Sequence, residues 1–246
     1  MMARLSLILS LLVILAHAAA EAQLFVDVEG GVAVLGRNDV RIPNEGGTDF
    51  SFVDDLDADP APALRLRAGW DITPRHHVSV LFAPLTFYGA GTFDRPVTFT
   101  DVTFPAGTAV EGTYKFNSYR LTYRFTPVRS TRVRFGFGLT AKVRDAKVAL
   151  ESDTESAEDT DLGVVPLINL DFAWRFAGRT SFLLNADAAW SPQGRAEDVL
   201  LAIEHAPSDA VAMRLGYRLL EGGADVEQVY NFALVNYVTF GVTVRF

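Results

Sequence analysis

The final stretch, Asn231–Phe246, most constrains what this chain can fold into. Phe232, Leu234, Val238, Phe240, Val242, Val244 and Phe246 share one set of alternate positions. The intervening set is Asn231, Ala233, Val235, Tyr237, Thr239, Gly241, Thr243 and Arg245, small and mostly polar apart from Val235 and Tyr237. Successive Cβ atoms of a strand point to opposite faces, so this period of two describes a strand with one oily and one wet side.

The same alternation recurs along the chain. Strands are expected over Gln23–Leu35, Ala63–Ile72, His77–Thr92, Thr113–Phe125, Arg132–Leu150, Leu162–Phe176, Thr180–Trp190, Val199–His205 and Ala210–Leu220, in addition to the last. Pro84 interrupts the third and marks a bulge, because proline cannot donate to a ladder. The alternation changes phase near Asn117, which places either a bulge or a bilayer boundary there. Short connections are expected at Thr73–His76, Thr126–Thr131, Ala177–Arg179 and Ala206–Asp209. Longer ones are expected at Gly36–Ala61, Phe93–Gly112, Glu151–Asp161 and Glu221–Tyr230, and the link through Pro192 and Gly194 is a short exception. Ten strands satisfy this pattern; eight remain the alternative if the pair around Val199–Leu219 forms differently.

The first residues make a separate argument. Arg4, the apolar run Leu5–Ala16 and the small residues Ala18, Ala20 and Ala22 read as a secretory signal peptide over residues 1–22, cleaved after Ala20 or Ala22. Residues 23–246 then form one domain. That domain contains no apolar run of the roughly 20 residues a membrane helix needs. Yet 49% of the chain is hydrophobic and the mean hydropathy is +0.17. An apolar band distributed over alternate strand positions reconciles the two. The absence of cysteine removes disulfides, thiol catalysis and Cys-ligated metals, and a net charge of −8 argues against nucleic acid as a partner.

A last strand carrying Phe240, Val242 and Val244 and ending in Phe246 resembles the C-terminal strand of Gram-negative outer-membrane β-barrels, within the small OmpA- and OmpW-like class. The resemblance implies an all-β, antiparallel, transmembrane up-and-down barrel in the cell outer membrane. It also implies that the barrel assembly machinery recognises this end, and that both termini, with the short turns, lie in the periplasm. Outer-membrane lipid and lipopolysaccharide would surround a monomer. Trp70 and Trp174 would then join the periplasmic aromatic girdle and Trp190 the outer one. The competing reading is a soluble barrel or sandwich exported to the periplasm, whose arginine-rich exterior would be unusual.

With the oily face turned to lipid, the lumen receives Asp27, Glu29, Arg65, Arg67, Asp71, Arg120, Arg124, Arg134, Lys142, Arg144, Asn169, Asp171, Arg175, Asn185, Asp187, Arg214, Arg218 and Arg245. Two readings stand. A small barrel has room mainly for its own side chains, so these groups would interlock as a salt-bridge filling, since unpaired buried charge is costly. Alternatively, their excess of cations lines a narrow path for small anions. Barrel enzymes such as the omptins, lipid A deacylases and outer-membrane phospholipases rely on a histidine. Here His76, His77 and His205 fall at expected periplasmic turns, so those motifs are not matched, no catalytic role carries over and no cofactor is implied. The acidic runs at Asp54, Asp55, Asp57 and Asp59, and from Glu151 to Asp161, read as solvated, mobile loops, with a weak alternative as Ca²⁺ or Mg²⁺ sites.

Overall fold

The structure is a computed structural model that describes residues 23–246. The expected signal peptide lies outside the described residues. Fourteen strands follow in order: β1 (Gln23–Arg41), β2 (Phe50–Ser51), β3 (Ala61–Thr73), β4 (His76–Ala83), β5 (Thr86–Thr92), β6 (Val97–Phe99), β7 (Val102–Phe104), β8 (Ala109–Arg129), β9 (Val133–Glu151), β10 (Ser156–Ala177), β11 (Thr180–Ser191), β12 (Gly194–His205), β13 (Val211–Val226) and β14 (Val229–Arg245). Ten staves make the wall, with β4 and β5 acting as one stave broken at Pro84 and Leu85. Each pairs antiparallel with its neighbours, and β14 pairs β1 from Phe25–Arg245 up to Arg41–Tyr230, which closes the ring. Phe246 N–H also donates to Leu24 O at 2.9 Å. The expected up-and-down barrel of ten strands is therefore the fold, and no sheet edge remains at the seam.

The break in the third stave is repaired from across the ladder. Asn117 Oδ1 accepts from Leu85 N–H at 3.1 Å, and Phe116 N–H donates to Leu85 O at 2.8 Å. The phase change near Asn117 is not a bulge in β8. Val110, Tyr114, Ser118 and Arg120 all sit on the inner face, so the geometric alternation is unbroken. What inverts is the environment. Toward the short turns, β9 points Arg134, Thr140 and Lys142 inward and Phe135, Phe137 and Leu139 outward. Farther up it points Val148 and Leu150 inward and Asp145, Lys147 and Glu151 outward. The barrel is thus two-storeyed, with a polar core inside an apolar belt below and an apolar core behind a polar surface above. The phase change therefore lies in what each face meets and not in the ladder.

The belt itself is conspicuous. Leu139, Leu162, Val164, Leu215 and Val238 are each more than 60% exposed, and they continue into Val26, Val28, Leu121, Ile168 and Phe240. Apolar area this contiguous on an outer wall marks contact with lipid. Trp70 and Trp174 stand near the turn end, and Trp190 stands near the opposite end with its indole N–H on Glu197 at 2.7 Å.

Several expected loops are ordered structure. Glu151–Asp161 is a hairpin whose only turn is 152–155, because β9 and β10 pair up to Glu151–Ser156. Glu221–Tyr230 is likewise strand except at 227–228. The two long connections, 42–60 and 93–108, fold into the upper storey as a cap. Phe50, Phe52, Leu56, Phe93, Phe99 and Phe104 are 0–2% exposed and pack on Phe87, Val110, Tyr114 and Leu150 of the wall. Phe50 meets Phe99 edge-on at 5.5 Å, and Phe52 lies 5.5 Å from Tyr114. Such aromatic pairs add to the burial that holds the cap. The acidic run within it is not a free loop, since Arg95 grips both oxygens of Asp55 at 3.0 Å and Ser51 N–H donates to the same carboxylate at 2.8 Å.

Candidate functional site

The lower storey contains a continuous ionic bridge from wall to wall. Arg214 on β13 is bonded to Asp27 and, at 2.7 Å, to Glu29, both on β1. Arg218 reaches Glu29 at 2.9 Å and also Asp198 on β12. Asp198 in turn accepts from Arg65 of β3 at 3.0 Å and Arg120 of β8 at 2.6 Å. Arg120 continues to Asp187 on β11 at 2.7 Å, whose other oxygen is held by Thr140 and Asn169 at 2.8 Å each. Thr243 donates to Asp27 at 2.6 Å and Ser118 braces Arg120 at 3.0 Å. Four guanidinium groups face four carboxylates, all with residue exposures of 2–8%. Gly241 makes room for this, since a Cβ there would lie 2.5 Å from Arg214 Cζ.

Each position follows from strand parity. Odd residues of β1 and even residues of β8, β12 and β13 face inward at this level, so facing strands deliver their charges to one plane. Asp198 is the member that sequence reasoning missed, because the eighth strand was expected to start at Val199. It shares parity with Leu200 and Ala202, and extending the strand back by one residue would have found it.

The remaining expected lumen residues divide by height. Below the bridge, Asp171 holds Arg124 at 3.1 Å and Arg134 at 3.0 Å, while Asp71 bonds His77 Nδ1 at 2.6 Å. These line a cavity of about 130 Å³ at the turn end together with Arg67, Asn185 and Arg245. His77 is therefore a lumen residue, not a solvated turn residue. His76 behaves differently, bonding Tyr123 at 2.8 Å on the outside, and His205 pairs with Thr180 at 3.0 Å. Arg175 is exposed at the turn-end rim, one pair from the end of the β10–β11 ladder, and joins no ion pair among the described residues. Above the bridge, Arg144 pairs with Asp161 on the hairpin that had been expected to be loop. Lys142 is 3% exposed; its ammonium lies 4.6 Å from the Phe116 ring centre. The excess of cations expected inside is thus balanced at the bridge once Asp198 is included. Phe240, Val242 and Val244 stand on the outer face of β14, and Phe246, one residue past its end, is exposed.

Between bridge and cap lies a cavity of about 330 Å³. It opens sideways. β11 pairs with β10 only as far as Ala188–Ile168, and Pro166, which has no N–H to donate, lies just beyond. From Ser156 to Leu167, β10 is bonded on its β9 side alone, while the β11–β12 hairpin turns back at 192–193. The wall is notched there, and the cavity is lined from both lips, by Asp159 and Val165 of β10 and by Arg195, Leu220 and Gly222 across from them.

No protein-family model and no curated protein matches the chain. Solved structures do. The outer membrane protease OmpT from Escherichia coli superposes with a TM-score of 0.51 at 10% identity, over 91% of this chain and 97% of that one. Ail, the attachment invasion locus protein of Yersinia pestis, gives 0.42 at 12% identity, over 92% and 99%. Neisserial surface protein A gives 0.38 at 13%, over 91% and 97%. The OmpT likeness extends to the ring of ten antiparallel strands, so the chain has the fold of outer-membrane β-barrels.

Proposed function

We propose that this protein is an integral barrel of the cell outer membrane, a monomer with both termini periplasmic, whose lumen is closed by its own side chains and which does no catalysis. The observation that carries this reading is Asp198, fixed simultaneously by Arg65, Arg120 and Arg218 from three other staves. A path for ions at this level would require separating buried pairs, and removing one partner from such a pair costs about 3–5 kcal/mol. The belt and the two levels of tryptophan fit a bilayer, and the barrel exterior supplies the contacts to lipid and lipopolysaccharide. The outward row Phe240, Val242 and Val244, together with the exposed Phe246, is the surface offered to the assembly machinery. The capped, polar upper storey is what neighbouring surfaces would meet. No enzymatic role is assigned, because His76, His77 and His205 all lie at the turn end, away from the cap.

The test is liposome swelling with the refolded barrel, alongside outer-membrane fractionation of cells that express it. A heat-modifiable band in the outer-membrane fraction and no swelling in small anionic solutes is expected. Swelling that prefers anions would instead favour the alternative, a narrow passive channel for small anions or solutes.

A further inference from the structure

The side cavity has a feature that the filled lumen does not explain. Lys142 lines it, is 3% exposed, and has no carboxylate within ion-pair distance among the described residues. Its ammonium lies 4.6 Å from the Phe116 ring centre, and the charged groups around it are three cations, Arg120, Arg144 and Arg65, against one carboxylate beyond ion-pair distance, Asp198. A buried ammonium without a counter-charge is costly, so an anion that completes the site would be strongly favoured. Two further lining residues have polar atoms without partners: Arg144 Nε, a donor, and Asn231 Oδ1, an acceptor. The other lining cations are already matched, Arg144 with Asp161, Lys147 with Glu158 at 2.7 Å and Arg195 with Glu221. Asp159 stands half-buried on the β10 lip. Thr160 and Gln228 add polar groups to the lining, and Phe116, Val148, Leu220 and Val235 give it an apolar side.

We propose that this cavity binds a single-chain amphiphile with a carboxylate head, the head at Lys142 and the apolar body between Phe116, Val148, Leu220 and Val235. A volume of about 330 Å³ falls at the low end for ligand pockets, which range over roughly 300–1,000 Å³, and suits a small ligand rather than a multi-chain lipid. The notch gives the way in. Its lower lip carries Ile168 on β10 and stands beside Trp190, both in the exposed apolar belt, so an amphiphile partitioned into lipid reaches the cavity without crossing the cap. The head then faces a pre-placed cation and the chain leaves lipid for an apolar wall. That division between one charged contact and an apolar side is the usual composition of a ligand pocket.

This site lies above the ionic bridge, so it stands or falls independently of conductance. The experiment is a fluorescence titration of the folded barrel in a maltoside detergent with dansyl-undecanoate, followed by displacement. The expected result is a saturable enhancement that dodecanoate reverses and dodecanol does not. Lys142→Met should weaken binding by about tenfold or more, the loss expected for a hydrogen-bonded charge, and Lys142→Arg should retain it. Ala146→Phe, which fills the cavity and leaves Lys142 in place, should abolish it; Ala146 lines the same space. Equal displacement by dodecanol, displacement by inorganic phosphate alone, or no saturable signal from the folded barrel would overturn the proposal. So would wild-type binding by a folded Lys142→Met. If that variant does not show the heat shift of a folded barrel, the Ala146→Phe variant and the dodecanol comparison decide.

Discussion

Arg120 on β8 and Asp198 on β12 meet at 2.6 Å across the lumen, joining staves four places apart in a ring of ten. Their contact turns two halves of the wall into one ionic unit, because each also holds further partners. Arg120 goes on to Asp187, and Asp198 to Arg65 and Arg218.

Replacing Asp198 by Asn leaves three buried guanidinium groups short of a shared acceptor. The expected loss is about 3–5 kcal/mol, the range for removing one partner of a buried pair. Equilibrium urea unfolding of the barrel in lipid vesicles measures it. Asp209, whose pairing with Arg179 is solvent-exposed, supplies the control, and its Asn variant should change stability by less than about 1 kcal/mol.

Phe52 is fully buried in the cap and touches Tyr114. Phe52→Ala should cost about 3–5 kcal/mol locally, through lost burial and the void left behind. Hydrogen exchange should then rise across 42–60 and 93–108 while β9, β10 and β14 stay protected. Uniform deprotection of the barrel would show that cap and wall are one cooperative unit.

The cap should also respond to acid. Burial pushes the Asp55 carboxyl up, but the Arg95 guanidinium and the Ser51 amide outweigh it and hold the group below the usual carboxylate range. A depressed value in the folded state means the stabilisation is present above the unfolded pKa, about 3.9, and is lost as pH falls through the folded one. Near-ultraviolet circular dichroism of the aromatic cluster should therefore step down at acid pH below about 4. Asp55→Asn should lack this step.

Phe246, one residue past the end of β14, is 74% exposed, and its backbone N–H helps close the seam. Phe246→Ala should leave the unfolding midpoint of refolded protein within about 0.5 kcal/mol, as for an ordinary surface substitution. Its yield of heat-modifiable barrel in cells should fall severalfold if the assembly machinery reads this end. Unchanged yield would remove that role from Phe246.

The sequence made the wall legible and its upper storey illegible, for one reason. Period-two alternation reports which face is oily, and below Val143 that face meets lipid, so Phe135, Phe137 and Leu139 gave the strand and its orientation together. Above it the outside becomes polar, and Val148 and Leu150 turn inward on an unbroken ladder. A reader who assumes oily means outward sees the pattern stop, and so ends β1 and β13 early, starts β10 late and takes the hairpin around Glu155 for loop. The cap was hidden differently. Phe50, Phe52, Phe93 and Phe99 lie among Gly, Pro and Asp residues with no period, and only tertiary contact shows that they pack. The lumen charges were found from parity alone, but which acid met which arginine was not, because register across the barrel is not a local property.

The central claim is that the ionic bridge closes the lumen, and planar-bilayer conductance of the refolded wild-type barrel under a salt gradient tests it most directly. A folded, inserted barrel that stays silent is the predicted result, with discrete openings appearing only when Asp198 and Arg120 are both replaced by alanine. Stable anion-selective steps from the wild-type protein would contradict the claim.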